Sequence, residues 1–295
     1  MARFEGSMVA VVTPLRNGEV DLPKLRELVR WLLAEGTEAI VPVGTTGEGA
    51  TLTGPERAEV IRATVEEAAG RVPVIAGAGS NATREAIQSV QLAKELKADA
   101  ALVVTPYYNK PTQEGLFQHY LAIAEATRFP VVAYNVPSRT AVDLAPDTTA
   151  RLVKAGAIVG LKDATGNMDR QVQILERVGG EAISLLSGDD ATVAPYLACR
   201  GHGVISVVAN IAPRAMKELV SAARRGEVAG AVDRQVKMAD LIRSLFVETS
   251  PAPVKGALSL LGRCTAEVRL PLSPLSEAGL SRVREAMVRF GLLAG

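Results

Sequence analysis

The chain has 295 residues, 48% of them hydrophobic and 22% charged, so it can bury a full core and is not a disordered segment. Its formal net charge is +1, with acids and bases interleaved. That pattern leaves no basic stripe for nucleic acid and no polybasic anchor for a membrane, and it points to small-molecule ligands. No apolar run reaches the length of a membrane span, and the opening MARFEGSMVA has no signal-peptide pattern. Two cysteines, Cys199 and Cys264, and two histidines, His119 and His202, argue against a disulfide framework or a zinc site. The expectations are a reducing cytoplasm, no metal and no cofactor.

In chain order the sequence repeats one unit: a short apolar run, a Gly- or Thr-rich turn and a longer amphipathic stretch. The runs are 8–12 MVAVV, 39–43 AIVPV, 73–76 PVIA, 100–104 AALVV, 131–134 VVAY, 157–161 AIVGL, 183–186 ISLL and 203–208 GVISVV. Between them, stretches such as 21–35 DLPKLRELVRWLLAE and 82–97 ATREAIQSVQLAKELK carry apolar residues at three- and four-residue spacing, which predicts helices. Runs without polar alternation are buried on both faces, as in a parallel sheet covered by helices. Eight such units over residues 1–225 predict a (β/α)8 TIM barrel. The open doubly wound alternative would normally bring a nucleotide fingerprint, and neither GxGxxG nor GxxxxGK[ST] is present. Past residue 225 the strand pattern stops. The stretches 228–247, 253–262 and 276–292 predict a C-terminal three-helix extension over 226–295.

In such a barrel the chemistry sits where strands end and the following loops begin. The residues that interrupt the apolar pattern there are Thr13 and Pro14, GTTGEG at 44–49, GAGSN at 77–81, TPYYN at 105–109, YNVPSRT at 134–140, KDATGN at 162–167, SGDD at 187–190 and Asn210. They are hydroxyls, phenols, amides and one amine, without paired carboxylates or a Ser-His-Asp set. Lys162, directly after the run 157–161, is therefore the candidate nucleophile. A lysine amine condenses with a ketone to an imine and then an enamine, a carbon nucleophile made without a cofactor. At a reference pKa of about 10.4 only roughly 1 lysine in 2,500 is a free amine at pH 7. Burial at a barrel mouth favours the neutral form, which suits a strand-end position. The other eight lysines fall in helical or turn stretches and are expected in solvent. Position alone leaves open a Lys162 paired with Asp163 or reaching out to water.

Four motifs raise the specificity: GTTGEGATLT at 44–53, TPYYNKPTQEG at 105–115, YNVPSRT at 134–140 and GLKDATGN at 160–167. Together, in this order and over a span from about residue 4 to the end, they closely resemble the pyruvate-dependent class I aldolase superfamily and, within it, the dihydrodipicolinate synthase family. The resemblance implies a Schiff-base condensation of pyruvate with L-aspartate 4-semialdehyde, giving 4-hydroxy-tetrahydrodipicolinate in lysine and diaminopimelate biosynthesis. It implies that Lys162 forms the Schiff base and that Tyr134 relays protons in a triad with Thr45 and with Tyr108 of a neighbouring subunit. An active unit of at least a dimer follows, and by resemblance a homotetramer built as a dimer of dimers. Thr46 would take the pyruvate carboxylate through its hydroxyl and backbone N–H, and Gly188 and Ile205 would line the pyruvate pocket. Arg139, in PSRT where sialic-acid lyases differ, would receive the carboxylate of the semialdehyde.

Taken singly, a Gly-rich turn or a Tyr-Tyr pair has commoner structural readings. Asn210 and Lys255 also match the family, but packing and helix initiation account for them. Lysine-regulated members carry a serine and histidines where this chain has Gly49, Gly54 and Arg57. Asn81, Glu85 and Tyr107 match the regulatory set, so weak or absent inhibition by lysine is expected. Ala141 replaces a common glycine after SRT and bears on loop shape. Two other readings stand beside the synthase: a related aldolase or lyase for 2-keto-3-deoxy sugar acids, and a pyruvate-binding sensor or scaffold without turnover.

Overall fold

The computed structural model describes residues 4–294; the ends of the two expected segments, residues 1–3 and 295, lie outside the described residues. Eight strands form one parallel sheet: β1 (Gly6–Ala10), β2 (Ala39–Val41), β3 (Ile75–Gly77), β4 (Ala100–Val104), β5 (Val131–Asn135), β6 (Gly160–Asp163), β7 (Ser184–Ser187) and β8 (Gly203–Ser206). Their order is β2-β1-β8-β7-β6-β5-β4-β3. The bridge between Ile40 and Val74, with Gly77 N–H donating to Pro42 O at 2.9 Å, joins β2 to β3 and closes the barrel.

Around it run α1 (Leu22–Ala34), α2 (Gly54–Ala68), α3 (Thr83–Glu95), α4 (Gln113–Thr127), the single turn α5 (Pro137–Thr140), α6 (Pro146–Lys154), α7 (Met168–Val178), α8 (Val193–Ala198) and α9 (Pro213–Arg224). The first helix shows why these stretches fold as they do. Asp21 caps it by accepting the Lys24 N–H, Pro23 sits in its first turn, and Leu25, Leu28, Val29 and Leu32 fall on its inward stripe. Each such buried leucine or valine contributes about 1.5–3 kcal/mol of transfer free energy.

Alternation along the strands separates two apolar layers. Met8, Val41, Ile75, Leu102, Val132, Leu186 and Ile205 fill the barrel, while Val131, Ala133, Leu161 and Leu185 face the helices. The expected (β/α)8 barrel is thus what the chain forms. Strand limits differ in informative places. The run 157–161 forms strand only from Gly160 and continues through Asp163, so Lys162 lies inside β6 and not after it. The run 203–208 stops as strand at Ser206 because the Asp190 carboxylate takes the N–H groups of Val207 and Val208, at 2.9 and 3.0 Å, and a 3-10 turn (Val208–Asn210) follows. One element went unforeseen: a short antiparallel pair, Leu15–Arg16 with Glu19–Val20, turning on Asn17 and Gly18, both at positive φ.

Beyond the barrel lie α10 (Val228–Ser244), α11 (Ala252–Leu260) and α12 (Glu277–Phe290). α10 packs on α8, α9 and α12, and the segment between α11 and α12 returns to the barrel mouth, where Thr265 Oγ1 donates to Leu15 O at 2.6 Å. Among the described residues no helix is long and apolar enough to cross a membrane.

Candidate active site

Lys162 and Tyr134 occupy paired positions on β6 and β5, and both point into the barrel. Lys162 is only 6% exposed, and its Nζ stands 4.2 Å from the centroid of the Tyr134 ring. The neighbouring carboxylate does not neutralise it. Asp163 points to the opposite face, where its Oδ2 accepts from Arg170 Nε at 2.6 Å and its Oδ1 from the Thr165 N–H at 2.8 Å. Arg170 in turn donates to Asp143 Oδ2 at 2.9 Å, and Asn135 Nδ2 to Asp143 Oδ1 at 2.8 Å. This outward network braces the ends of β5 and β6 and leaves the amine facing apolar and phenolic surroundings.

Gly188, just past β7, abuts the lysine. A Cβ built there would lie 2.9 Å from Lys162 Cε and 3.1 Å from its Cγ. Ile205 on β8 belongs to the same interior layer. The loop after β2 carries Thr45 and Thr46, and it is tightly wound. Val43 has φ +58 and Glu48 φ +54, a region where a β-branched residue is strained. Gly49 and Gly77 make room for it, since a Cβ on either would meet Val43 O at 2.3 and 2.1 Å.

A cavity of about 340 Å³ opens at this end of the barrel, walled by Thr45, Tyr134, Arg139, Thr140, Tyr107 and Arg57 among others. Lys162, Thr46, Gly188 and Ile205 are not in its wall; Tyr134, whose ring the Lys162 amine faces, is. Arg139 projects from α5, whose turn is pinned by Thr140 Oγ1 donating to Val136 O and Val142 O at 3.2 and 2.9 Å. Ala141, directly after it, has φ +56, which accounts for glycine being common there. Tyr108 stands apart from the cavity, 88% exposed and at φ +74. Among the described residues no group of three or more His, Cys, Asp or Glu side chains is placed to hold a metal ion.

Residues 3–289 match the model of the dihydrodipicolinate synthetase family. The chain belongs to that family. A 4-hydroxy-tetrahydrodipicolinate synthase of Anaeromyxobacter dehalogenans (strain 2CP-C) is 71% identical over 99% of both chains. Among solved structures, the chloride-inhibited dihydrodipicolinate synthase from Acinetobacter baumannii, complexed with pyruvate, is 48% identical with a TM-score of 0.96, covering 98% of this chain and 99% of that one. A monomeric dihydrodipicolinate synthase variant is 42% identical, TM-score 0.96, covering 98% of both chains.

The residues matched to the family's regulatory set lie close in the fold. Asn109 Nδ2 donates to Asn81 O at 2.9 Å, which ties the Tyr107 loop to the start of α3, and Glu85 accepts from Ser80 Oγ at 2.9 Å. One expectation is corrected outright: of the eight lysines assigned to solvent, Lys255 is 0% exposed and pairs with Glu48, far away in sequence. Sequence reasoning also missed Ser250, Pro271 and Leu272, which wall the cavity from the C-terminal side. The match to the family around Lys255 is the one sequence signal for this segment. Arg269 in the same segment binds the Glu56 carboxylate at the head of α2 and holds it down at about 2.

Proposed function

We infer that the chain condenses pyruvate with L-aspartate 4-semialdehyde to 4-hydroxy-tetrahydrodipicolinate, as a Schiff-base lyase of lysine and diaminopimelate biosynthesis. The observation that carries this reading is a buried lysine amine set against a tyrosine ring inside a barrel mouth, beside a cavity that also presents Thr45 and Arg139.

The steps follow from that arrangement. Lys162 adds to the pyruvate ketone to give a carbinolamine, which loses water to the imine. A proton leaves the pyruvate methyl carbon, and the enamine attacks the semialdehyde aldehyde. The amine of the bound semialdehyde then attacks the imine carbon, closing the ring and releasing Lys162. Each step moves a proton, and the phenol of Tyr134 with the hydroxyl of Thr45 can both donate and accept. Thr46 holds the pyruvate carboxylate, Gly188 and Ile205 shape the pocket around it, and Arg139 takes the carboxylate of the second substrate.

Tyr108 completes the relay from a neighbouring subunit. Its exposure and its strained backbone support this, because a large aromatic ring held out from its own chain needs a partner surface. The active unit is then at least a dimer, arranged as a tetramer of two dimers. Residues 1–225 serve as the catalytic barrel and 226–295 as its extension, working in the cytoplasm on free metabolites. A coupled assay with pyruvate and aspartate 4-semialdehyde, against a 2-keto-3-deoxygluconate control, tests the reading. Turnover of the first pair alone is expected; turnover of the sugar acid alone, or pyruvate binding with no turnover, overturns it.

A further inference from the structure

Glu48 and Lys255 form an ion pair that spans 207 positions of sequence, with side chains 1% and 0% exposed. Lys255 Nζ also donates to Glu267 O at 2.7 Å, and the second Glu48 oxygen accepts the Arg269 N–H at 2.9 Å. One carboxylate thus joins α11 and the segment that follows it to the loop carrying Thr45 and Thr46. Burying two charges is costly, and an apolar pair of similar volume would serve packing as well or better. What an ion pair supplies that packing does not is direction.

Direction is what this loop requires. It is strained at Val43 before the two threonines and at Glu48 after them. Its other ties include Thr13 Oγ1 donating to Gly47 O at 2.7 Å, from the segment after β1, and Glu48 N–H to Thr45 O and Gly49 N–H to Gly44 O, both at 3.1 Å, within the loop; none of these reaches residues 250–272. The C-terminal part of the cavity wall is Ser250, Pro271 and Leu272, which share the cavity with Thr45 and flank in sequence the residues that grip Glu48. Arg269 adds a parallel strut, donating to Thr51 O at 3.2 Å and to Gly18 O at 2.6 Å.

We propose that Glu48, gripped by Lys255 and the Arg269 N–H, is a positioning residue that sets Thr45 and Thr46 for pyruvate, so that residues 255–272 belong to the working site. This rests on the function inferred above. The test compares Glu48→Gln, Lys255→Met and the double variant by melting temperature, steady-state kinetics for each substrate, and borohydride trapping of pyruvate. Each single variant leaves a buried partner and melts lower; the double variant removes both charges and melts close to the unaltered protein. In all three, the KM for pyruvate rises about tenfold or more while that for aspartate 4-semialdehyde stays within about threefold, since a small misplacement of binding groups is costly. Glu48→Gln keeps the side-chain shape and carries the test if Lys255→Met fails to fold. A double variant, or a folded Glu48→Gln, with pyruvate KM within about twofold of the unaltered protein makes the pair structural only and overturns the proposal. Equal loss toward both substrates overturns it as well. Absence of a pyruvate adduct on the unaltered protein overturns the inferred function, and the proposal with it.

Discussion

Lys162 and Tyr134 are direct register partners on neighbouring strands, with the lysine amine 4.2 Å from the centre of the tyrosine ring. Both face the barrel interior, whereas Asp163, one position on, faces Arg170 outside it. A one-residue slip of β6 would bring the carboxylate in and turn the amine out, so the proposed chemistry depends on strand register.

Pyruvate and borohydride should therefore leave a reduced adduct on the unaltered protein and none on Lys162→Ala, read by intact mass. Tyr134→Phe should still form the adduct, slowly, with turnover lower by about 10²–10⁴-fold, the usual worth of a positioned proton relay. An adduct that persists in Lys162→Ala would place the nucleophile elsewhere.

Gly188→Ala tests the lysine's seat without touching its charge. The added methyl would lie 2.9 Å from Lys162 Cε and 2.8 Å from the Ala164 Cβ, so the lysine chain has to move. We expect a folded protein destabilised by about 1–3 kcal/mol by overpacking, with imine formation slowed well beyond what that loss explains. Trapping at the unaltered rate would show that the methyl is absorbed by Ala164 instead.

Arg139→Ala should weaken use of aspartate 4-semialdehyde and leave pyruvate trapping largely intact. Loss of a charge-assisted pair costs about 1.5–3 kcal/mol, roughly a 10- to 150-fold fall in kcat/KM for that substrate. Equal loss in both measurements would mean that Arg139 holds α5 in place and does not read the substrate.

For Tyr108 the measurement is complementation. Tyr108→Phe subunits mixed with Lys162→Ala subunits should regain activity, because one site of each hybrid dimer receives both intact groups. Verified subunit exchange without recovery would assign the phenol to its own chain.

Free lysine should inhibit weakly or not at all. A ligand with two ammonium groups needs acceptors, yet Arg57, a permanent cation, is among the residues that line the cavity and Gly54 offers no side chain. A side chain at Gly49 would collide with Val43 O, and Glu85 already accepts from Ser80. Activity titrated with L-lysine at saturating substrates decides it; clear inhibition at submillimolar lysine would show that Asn81, Glu85 and Tyr107 suffice.

The barrel was legible because local rules govern its parts. An apolar run such as 131–134 must be covered on both faces, and a three-four spacing such as that of 21–35 must bury one stripe, whatever lies elsewhere in the chain. The motif order likewise places Lys162, Tyr134 and Arg139 toward one end of the barrel, since each stands at or just after the end of an apolar run. Three matters were not legible locally. Where β6 begins settles which way Lys162 points, and that depends on pairing with Val132 and Ser184 on two other strands. Whether a lysine in a helix lies in water or in the core depends on a partner, and Lys255 finds its partner 207 positions away in sequence, in the loop after β2. The cavity itself is lined both by the loop after β2 and by Ser250, Pro271 and Leu272, which meet only when the chain closes on itself. Backbone preference and hydrophobic periodicity act over a few residues, whereas the burial of a charge and the shape of a cavity depend on groups that only the closed fold brings within a few ångströms of one another.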